Sequence, residues 1–215
     1  MSTCFSDILR QENASIWMEA TDHRFVRELL AGTISRKVMS AYLVQDHRFL
    51  DSFLTLLGAA IASADTFEAR LRFGRFAGMV SSEENTYFLR AFETLDVSEA
   101  RRREEPDTAP TAGFKAIMQE AASTRNYAAA LAVLNVAEGL YLDWAMKARA
   151  PLPESFVHAE WITLHDNPGF REFVAFLRAE LDRVGPQHAA ISRDFFSRTV
   201  KLERAFFDAA YEGES

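Results

Sequence analysis

The chain has 215 residues, 48% of them hydrophobic and 18 of them Phe, which predicts one domain over residues 1–215 with a sizeable core. Its net charge of −7 argues against nucleic acid as a main partner, because phosphate binding needs a concentrated positive patch. A single cysteine excludes a disulfide within the chain, and the sequence shows neither a signal peptide nor a membrane span, which predicts a cytoplasmic protein.

Apolar residues recur at i, i+3 and i+4 along the chain, and alternating β-branched stretches are essentially absent, which predicts an all-α fold. The first half predicts helices over about residues 5–20, 22–30 (capped by Asp22, with Gly32 past the end), 35–63 (capped by Ser35) and 66–95. Residues 96–111 are polar and contain proline, which predicts a connecting loop.

The second half of the chain predicts five further helices. They cover about residues 112–122, 127–149 (capped by Ser123 or Asn126), 154–164, 168–184 (with Pro168 at the first position) and 187–211. The stretches APLPES, HDNPGF and Gly185-Pro186 separate them.

One acid stands on an inward face of the long helix. Spacing of i, i+4, i+7 and i+11 groups Tyr42, Asp46, Phe49 and Phe53. An unpaired buried carboxylate is very costly, so Asp46 is either held by an Arg or Tyr of a neighbouring helix or serves a ligand. The pattern alone favours the structural partner.

Two further acids lie on apolar helical faces. Glu138 interrupts the run 128–142, which is otherwise almost entirely apolar or small. It fits either a buried Glu held by hydrogen bonds between helices or a desolvated acid with a raised pKa, suited to acid/base chemistry near neutral pH. Glu203 has Lys201 and Arg204 close by, and for it the pattern alone favours an exposed or ion-paired side chain.

The sequence lacks the residue patterns that several other kinds of catalytic or metal site require. None of the five histidines forms an HxxxH, HExxH or ExxH pair, so a helix-borne zinc or di-iron site has no signature. The motifs GxSxG, GxGxxG and the P-loop are absent as well. The sequence therefore predicts no metal.

Four segments carry a family resemblance. They are HRFVRELLAGTISRKVMSAYLVQDHRFL (residues 23–50), VLNVAEGLYLDWA (133–145), HAEWITLHDNPGF (158–170) and KLERAFFDAAY (201–211). In this order and spacing they resemble the TenA family of thiaminase II and aminopyrimidine hydrolases. Each motif alone is moderately specific, and together they span almost the whole chain.

The resemblance implies a haem-oxygenase-like helical bundle, a homo-oligomer (tetramer or dimer), no cofactor and a small-molecule pyrimidine substrate. Asp46 matches the family's pyrimidine-binding Asp, whose carboxylate accepts from the 4-amino group and a protonated ring nitrogen. Glu203 matches the family's C-terminal catalytic Glu, and Tyr141 matches a Tyr of the central helix.

The sequence departs from the better-known branch of that family, which has a nucleophilic Cys on the central helix. Glu138 is instead similar to the Glu of a second branch. Phe49, Phe114 and His158 stand where the family often has Tyr. Aromatic rings remain at positions 49 and 114 for packing on a flat heterocycle, but several hydroxyls are lost, so the exact substrate stays open.

The resemblance thus implies a hydrolase of the thiamin salvage type that cleaves a C–N bond of an aminopyrimidine thiamin fragment. Glu138 and Glu203 are expected to share the general acid and base roles. The expected substrate contacts are Asp46, Phe49, Phe114, Tyr141 and His158. The alternative is a non-catalytic pyrimidine-binding or regulatory protein on the same scaffold.

Overall fold

Residues 4–212, which the computed structural model describes, contain helices and no β-strand, so the all-α prediction is confirmed. The first half forms α1 (Phe5–Glu12), α2 (Ala14–Thr21), α3 (Arg24–Leu30), α4 (Arg36–Ser63), α5 (Phe67–Met79), a π-helical segment (Val80–Glu84) and α6 (Asn85–Thr94). The second half forms α7 (Glu99–Glu104), α8 (Ala109–Ser123), α9 (Tyr127–Ala145), α10 (Phe156–Leu164), α11 (Pro168–Val184), a 3₁₀ turn (Gly185–His188) and α12 (Ala189–Ala209).

The N-terminal region differs from its prediction in two places. The first predicted helix is broken at Asn13, whose side-chain Nδ2 donates to the carbonyl oxygen of Leu9 at 2.8 Å. An Asn side chain competes with the helix for backbone groups, which favours a break at this residue. The N-cap of α3 is His23 and not Asp22, because the ring of His23 accepts from the backbone N–H of Phe25 at 3.1 Å.

Four predicted helix boundaries are confirmed. Ser35 caps α4 by accepting from the N–H of Val38, and Asn126 caps α9. Pro168 is the first residue of α11. Gly32 follows α3 with a φ of 69°, in the left-handed region that suits glycine.

The middle of the chain is more helical and less regular than predicted. The expected loop 96–111 contains α7, capped by Ser98, and the first turn of α8, capped by Thr108. The expected single helix 66–95 is continuous, but its middle turn widens into the π-helical segment.

Helix α9 lies at the centre of the bundle. It packs against α2, α4, α8, α11 and α12, and nearly all of its side chains are buried. Its first turns are rich in Ala, which lets neighbouring helices approach closely. Within residues 4–212, no helix is both long and apolar enough to cross a membrane.

The buried amide of Gln45 joins α4 to the start of α8. Its Nε2 donates to the carbonyl oxygen of Pro106 at 3.0 Å. Its Oε1 accepts from the N–H of Thr108 at 3.0 Å and from the hydroxyl of Thr111 at 2.7 Å. One side chain therefore satisfies three groups of the segment that positions α8 beside the acid one residue further along α4.

Replacing this amide should cost stability. Gln45→Ala removes the partners of the carbonyl of Pro106 and of the backbone N–H of Thr108, so we expect a loss of roughly 2 kcal/mol in the free energy of unfolding, measured by urea denaturation. Gln119→Ala, on the exposed face of α8, is the matched control and should change stability little. Equal effects of the two substitutions would contradict the role of Gln45.

Candidate functional site

A cavity of about 50 Å³ lies where α4, α8, α9 and α12 meet the end of α10 and the π-helical segment. Six predicted site residues line it: Asp46, Phe49, Phe114, Glu138, Tyr141 and Glu203. The helical phase explains the grouping, since each of these residues lies on the inward stripe of its own helix. A larger cavity of about 240 Å³ lies nearer the surface, beyond Tyr42, and none of the three buried acids lines it.

The three predicted acids are deeply buried. Asp46 is 4% exposed, Glu138 is 7% exposed and Glu203 is 3% exposed. Within residues 4–212, none of the three has a hydrogen bond or an ion pair through its side chain. The Arg or Tyr partner that the pattern favoured for Asp46 is therefore not found among the described residues.

The prediction of an exposed or ion-paired Glu203 was wrong. Residues adjacent on a helix point in different directions, so the flanking cations do not face this carboxyl. Lys201 and Arg204 are exposed, and Arg204 pairs with Glu19 and Asp208 at 3.7 and 3.3 Å. Glu203 instead lies on the inward stripe of α12.

Burial raises the pKa of all three carboxyls well above their ordinary values. Their mutual repulsion raises the pKa values further, because the charge of Asp46 acts on Glu138 and Glu203, and that of Glu138 acts on Glu203. The surroundings therefore favour protonated carboxyls, which can donate hydrogen bonds or can ionise beside a positively charged ligand.

Two tyrosine hydroxyls meet beside the acids. Tyr42 and Tyr141 lie 2.6 Å apart between their oxygen atoms, both buried. Burial raises the pKa of each phenol well above its ordinary value, so both remain protonated. Only Tyr141 lines the small cavity, while Tyr42 lines the larger neighbouring one.

Aromatic rings form one wall of the cavity. The rings of Phe49 and Phe114 lie 5.2 Å apart between centroids with an interplanar angle of 33°. Phe206 packs edge-on against both of them. Phe114 is fully buried, whereas Phe49 is only partly buried and lies at the rim.

His158 does not line the cavity, although it was predicted to contact substrate. It lies in the first turn of α10, and the cavity is lined by Trp161 and by His165 just past the end of that helix. The Nδ1 atom of His158 is buried without a hydrogen-bond partner within residues 4–212, and so is the Nε1 atom of Trp161.

Sequence reasoning missed Glu84, Trp161 and His165 as lining residues. Glu84 had a usable signal, because it follows buried Val80 and precedes buried Phe88 at i+4 spacing. His165 follows Trp161 at the same spacing. Its Nδ1–H donates to the carbonyl oxygen of Trp161 at 2.8 Å, and burial lowers the pKa of its imidazole to about 4. The ring is therefore neutral and leaves Nε2 as an acceptor.

No group of three or more His, Cys, Asp or Glu side chains that could hold a metal ion is found within residues 4–212. What the cavity offers is a set of acids in an aromatic setting. Such a site suits a flat molecule that carries hydrogen-bond donors and a positive charge.

Comparisons with known proteins agree with this description of the fold. The sequence model of the TENA/THI-4/PQQC family matches residues 10–213. The structure is similar to a TenA homologue from P. horikoshii OT3, with a TM-score of 0.87 and 22% identity over 98% of this chain and 100% of that chain. A comparison with curated proteins finds no match.

Two further solved structures are similar over nearly their whole length. One, from Silicibacter sp. TM1040, is described as a TenA family transcription regulator and has a TM-score of 0.84 and 20% identity over 96% of each chain. The other, from Sulfolobus solfataricus, is described as a candidate TenA-like thiaminase, with a TM-score of 0.79 and 16% identity over 95% of this chain and 94% of that one. TenA structures have the haem-oxygenase-like helical fold, so that fold prediction is confirmed.

Burial of the acids should make stability depend on pH. The pKa of Glu203 is higher in the folded chain than its ordinary value of 4.5, so unfolding above that pH releases a proton and becomes easier as pH rises. Glu203→Gln removes this effect. We expect the variant to gain stability over the natural chain by up to about 1.4 kcal/mol per pH unit above 4.5, measured by urea denaturation from pH 5 to 8.

Glu172→Gln is the control, because Glu172 is exposed on α11. Its stability difference from the natural chain should stay constant over the same pH range. A constant difference for Glu203→Gln as well would show that the carboxyl is not desolvated.

Proposed function

Because the chain belongs to the TENA/THI-4/PQQC family, we propose that it is a hydrolase of the thiamin salvage type that cleaves a C–N bond of an aminopyrimidine thiamin fragment. The observation that carries this proposal is the convergence of three buried, unpartnered acids on one aromatic cavity. The description of the similar Sulfolobus protein as a candidate thiaminase supports the same reaction class.

Asp46 is the proposed anchor of the pyrimidine ring. Its carboxylate can accept from the 4-amino group and from a protonated ring nitrogen, two donors that lie side by side. The ring brings the positive charge that lets a carboxyl with a raised pKa ionise without remaining unpaired. Phe49 and Phe114 supply apolar surface for the ring.

Glu138 and Glu203 are the proposed acid and base. One carboxylate takes a proton from water as the water oxygen forms a bond to the substrate carbon, and the other carboxyl protonates the nitrogen as the C–N bond breaks. An aminomethylpyrimidine and water thereby give an alcohol and ammonia, and a formylated amine and water give formic acid and the free amine. Burial suits both roles, since a raised pKa keeps a proton on the donor and makes the carboxylate a stronger base.

The remaining implications of the family resemblance stay predictions. These are the homo-oligomer, the cytoplasmic location and substrate contact by Tyr141 and His158. Tyr141 lines the cavity with its hydroxyl bound to Tyr42, whereas His158 lies outside the lining residues.

Purified protein incubated with formylaminopyrimidine, aminopyrimidine and thiamin tests the proposal. We expect product from at least one of them, measured by chromatography. Glu138→Gln and Glu203→Gln should each lower kcat roughly 100-fold or more, because each removes a proton-transfer group. Asp46→Asn should weaken binding by about 10-fold or more, because it removes a charge-assisted hydrogen bond.

Asp51→Asn, on the exposed face of the same helix α4, is the matched control and should retain both kcat and KM. Binding without turnover by the folded natural chain would identify the alternative, a non-catalytic pyrimidine-binding protein. Neither binding nor turnover of any of the three compounds would refute the proposal.

A further inference from the structure

A fourth acid, Glu84, lines the same cavity and has no part in the proposed reaction. Its side chain has no hydrogen bond or ion pair within residues 4–212, and burial raises the pKa of its carboxyl to about 7. Unlike the other three acids, Glu84 is partly exposed. The cavity thus holds one more carboxyl than ring binding and proton transfer require.

The backbone around Glu84 is unusual and well anchored. Glu84 is the last residue of the π-helical segment, a wide turn that is rare in proteins and often occurs at functional sites. Immediately after it, Asn85 Oδ1 lies 3.3 Å from His47 Nε2 of α4. One turn later, the hydroxyl of Tyr87 donates to the carbonyl oxygen of Val157 at 2.6 Å. Contacts to α4 and to the start of α10 therefore hold the segment that carries Glu84.

Glu84 lies close enough to two of the other acids to interact with their charges. Its charge raises the pKa of Asp46 and of Glu138, while that of Glu203 is raised by Asp46 and Glu138. This places the extra acid beside the ring anchor and the acid of the central helix.

The cavity wall that contains Glu84 also contains a hydrogen-bond acceptor, the imidazole ring of His165. Glu84 and His165 both line a second cavity of about 150 Å³ as well as the one with the acids, so they form the boundary between the two. The neutral imidazole of His165 presents Nε2 as an acceptor, because Nδ1 donates to the carbonyl of Trp161. A carboxylate and an imidazole acceptor in one wall suit an ammonium group, which has three N–H donors.

We propose that Glu84 is a specificity-determining residue that contacts the substrate and binds its exocyclic ammonium group next to Glu138. This inference rests on the proposed function, and it adds a second recognition point to the ring contact at Asp46. A pyrimidine with a protonated aminomethyl group then binds better than the same ring with a neutral hydroxymethyl group. Glu84 supplies that difference.

Calorimetric titration with two ligands tests the proposal. The ligands are 4-amino-5-aminomethyl-2-methylpyrimidine and its 5-hydroxymethyl counterpart, which share the ring. Because the amine is the expected substrate, both are titrated into a Glu203→Gln background with and without Glu84→Gln. We expect Glu84→Gln to weaken amine binding by about 10-fold, and hydroxymethyl binding by less than about twofold, since only the amine loses a charge-assisted hydrogen bond.

Glu93→Gln, on the exposed face of α6, is the matched control and should leave the ratio of the two Kd values unchanged. If both ligands bind and Glu84→Gln also leaves the ratio unchanged, this inference fails while the proposed function stands. If neither ligand binds the Glu203→Gln protein or the natural chain, the proposed function itself fails.

A pH series on the Glu203→Gln protein, with and without Glu84→Gln, gives a second readout. The titratable groups that line the cavities beside Glu84 are Glu83 next to it, Asp46 from α4, Glu138 from α9 and His165 after α10. Because ionisation of the other carboxyls also favours a cation over a neutral ligand, only the pH dependence that Glu84→Gln abolishes belongs to Glu84. Because Glu84 ionises around pH 7 and a primary amine stays protonated, the preference for the amine should grow by up to about tenfold from pH 6 to pH 8. A preference independent of pH would overturn the proposal.

Discussion

The desolvation of carboxyl groups in the centre of the bundle is the constraint on which the site depends. Asp46, Glu138 and Glu203 are each at least nine-tenths buried, and none has a cation beside it among the described residues. Moving an unpaired carboxylate out of water costs a large free energy, so burial favours the protonated form of these groups. The close packing of the Ala-rich α9 and of the surrounding aromatic rings stabilises the bundle and offsets the cost of burying these acids.

This constraint links the fold to the proposed chemistry. A carboxyl with a raised pKa retains a proton that it can donate, and a cation that enters the cavity favours the ionised form. The same groups destabilise the protein as pH rises, so the acids that form the site lower the free energy of unfolding. A positively charged ligand offsets this penalty, which ties occupancy of the cavity to the stability of the whole bundle.

Much of the candidate site could be predicted from the spacing of residues along single helices. The i+4 and i+7 pattern around Asp46 and the apolar run around Glu138 identify inward faces, because burial follows the helical period. The prediction failed at Glu203, because the two cationic residues close to it in sequence suggested an exposed side chain. The helical period instead places Glu203 on the inward face of its helix. The π-helical turn and the position of His158 outside the lining residues depend on contacts between helices, which no local pattern encodes.

The cavity itself is small. At about 50 Å³ it has room for a few water molecules, whereas a cavity of about 150 Å³ binds benzene. A ring of that size therefore fits only if the wall moves, and Phe49 at the rim is the least buried of the aromatic side chains that line the cavity. Apparent affinity is then the intrinsic affinity multiplied by the fraction of molecules that are open. A substitution that enlarges the rim can tighten binding without adding a single contact to the ligand.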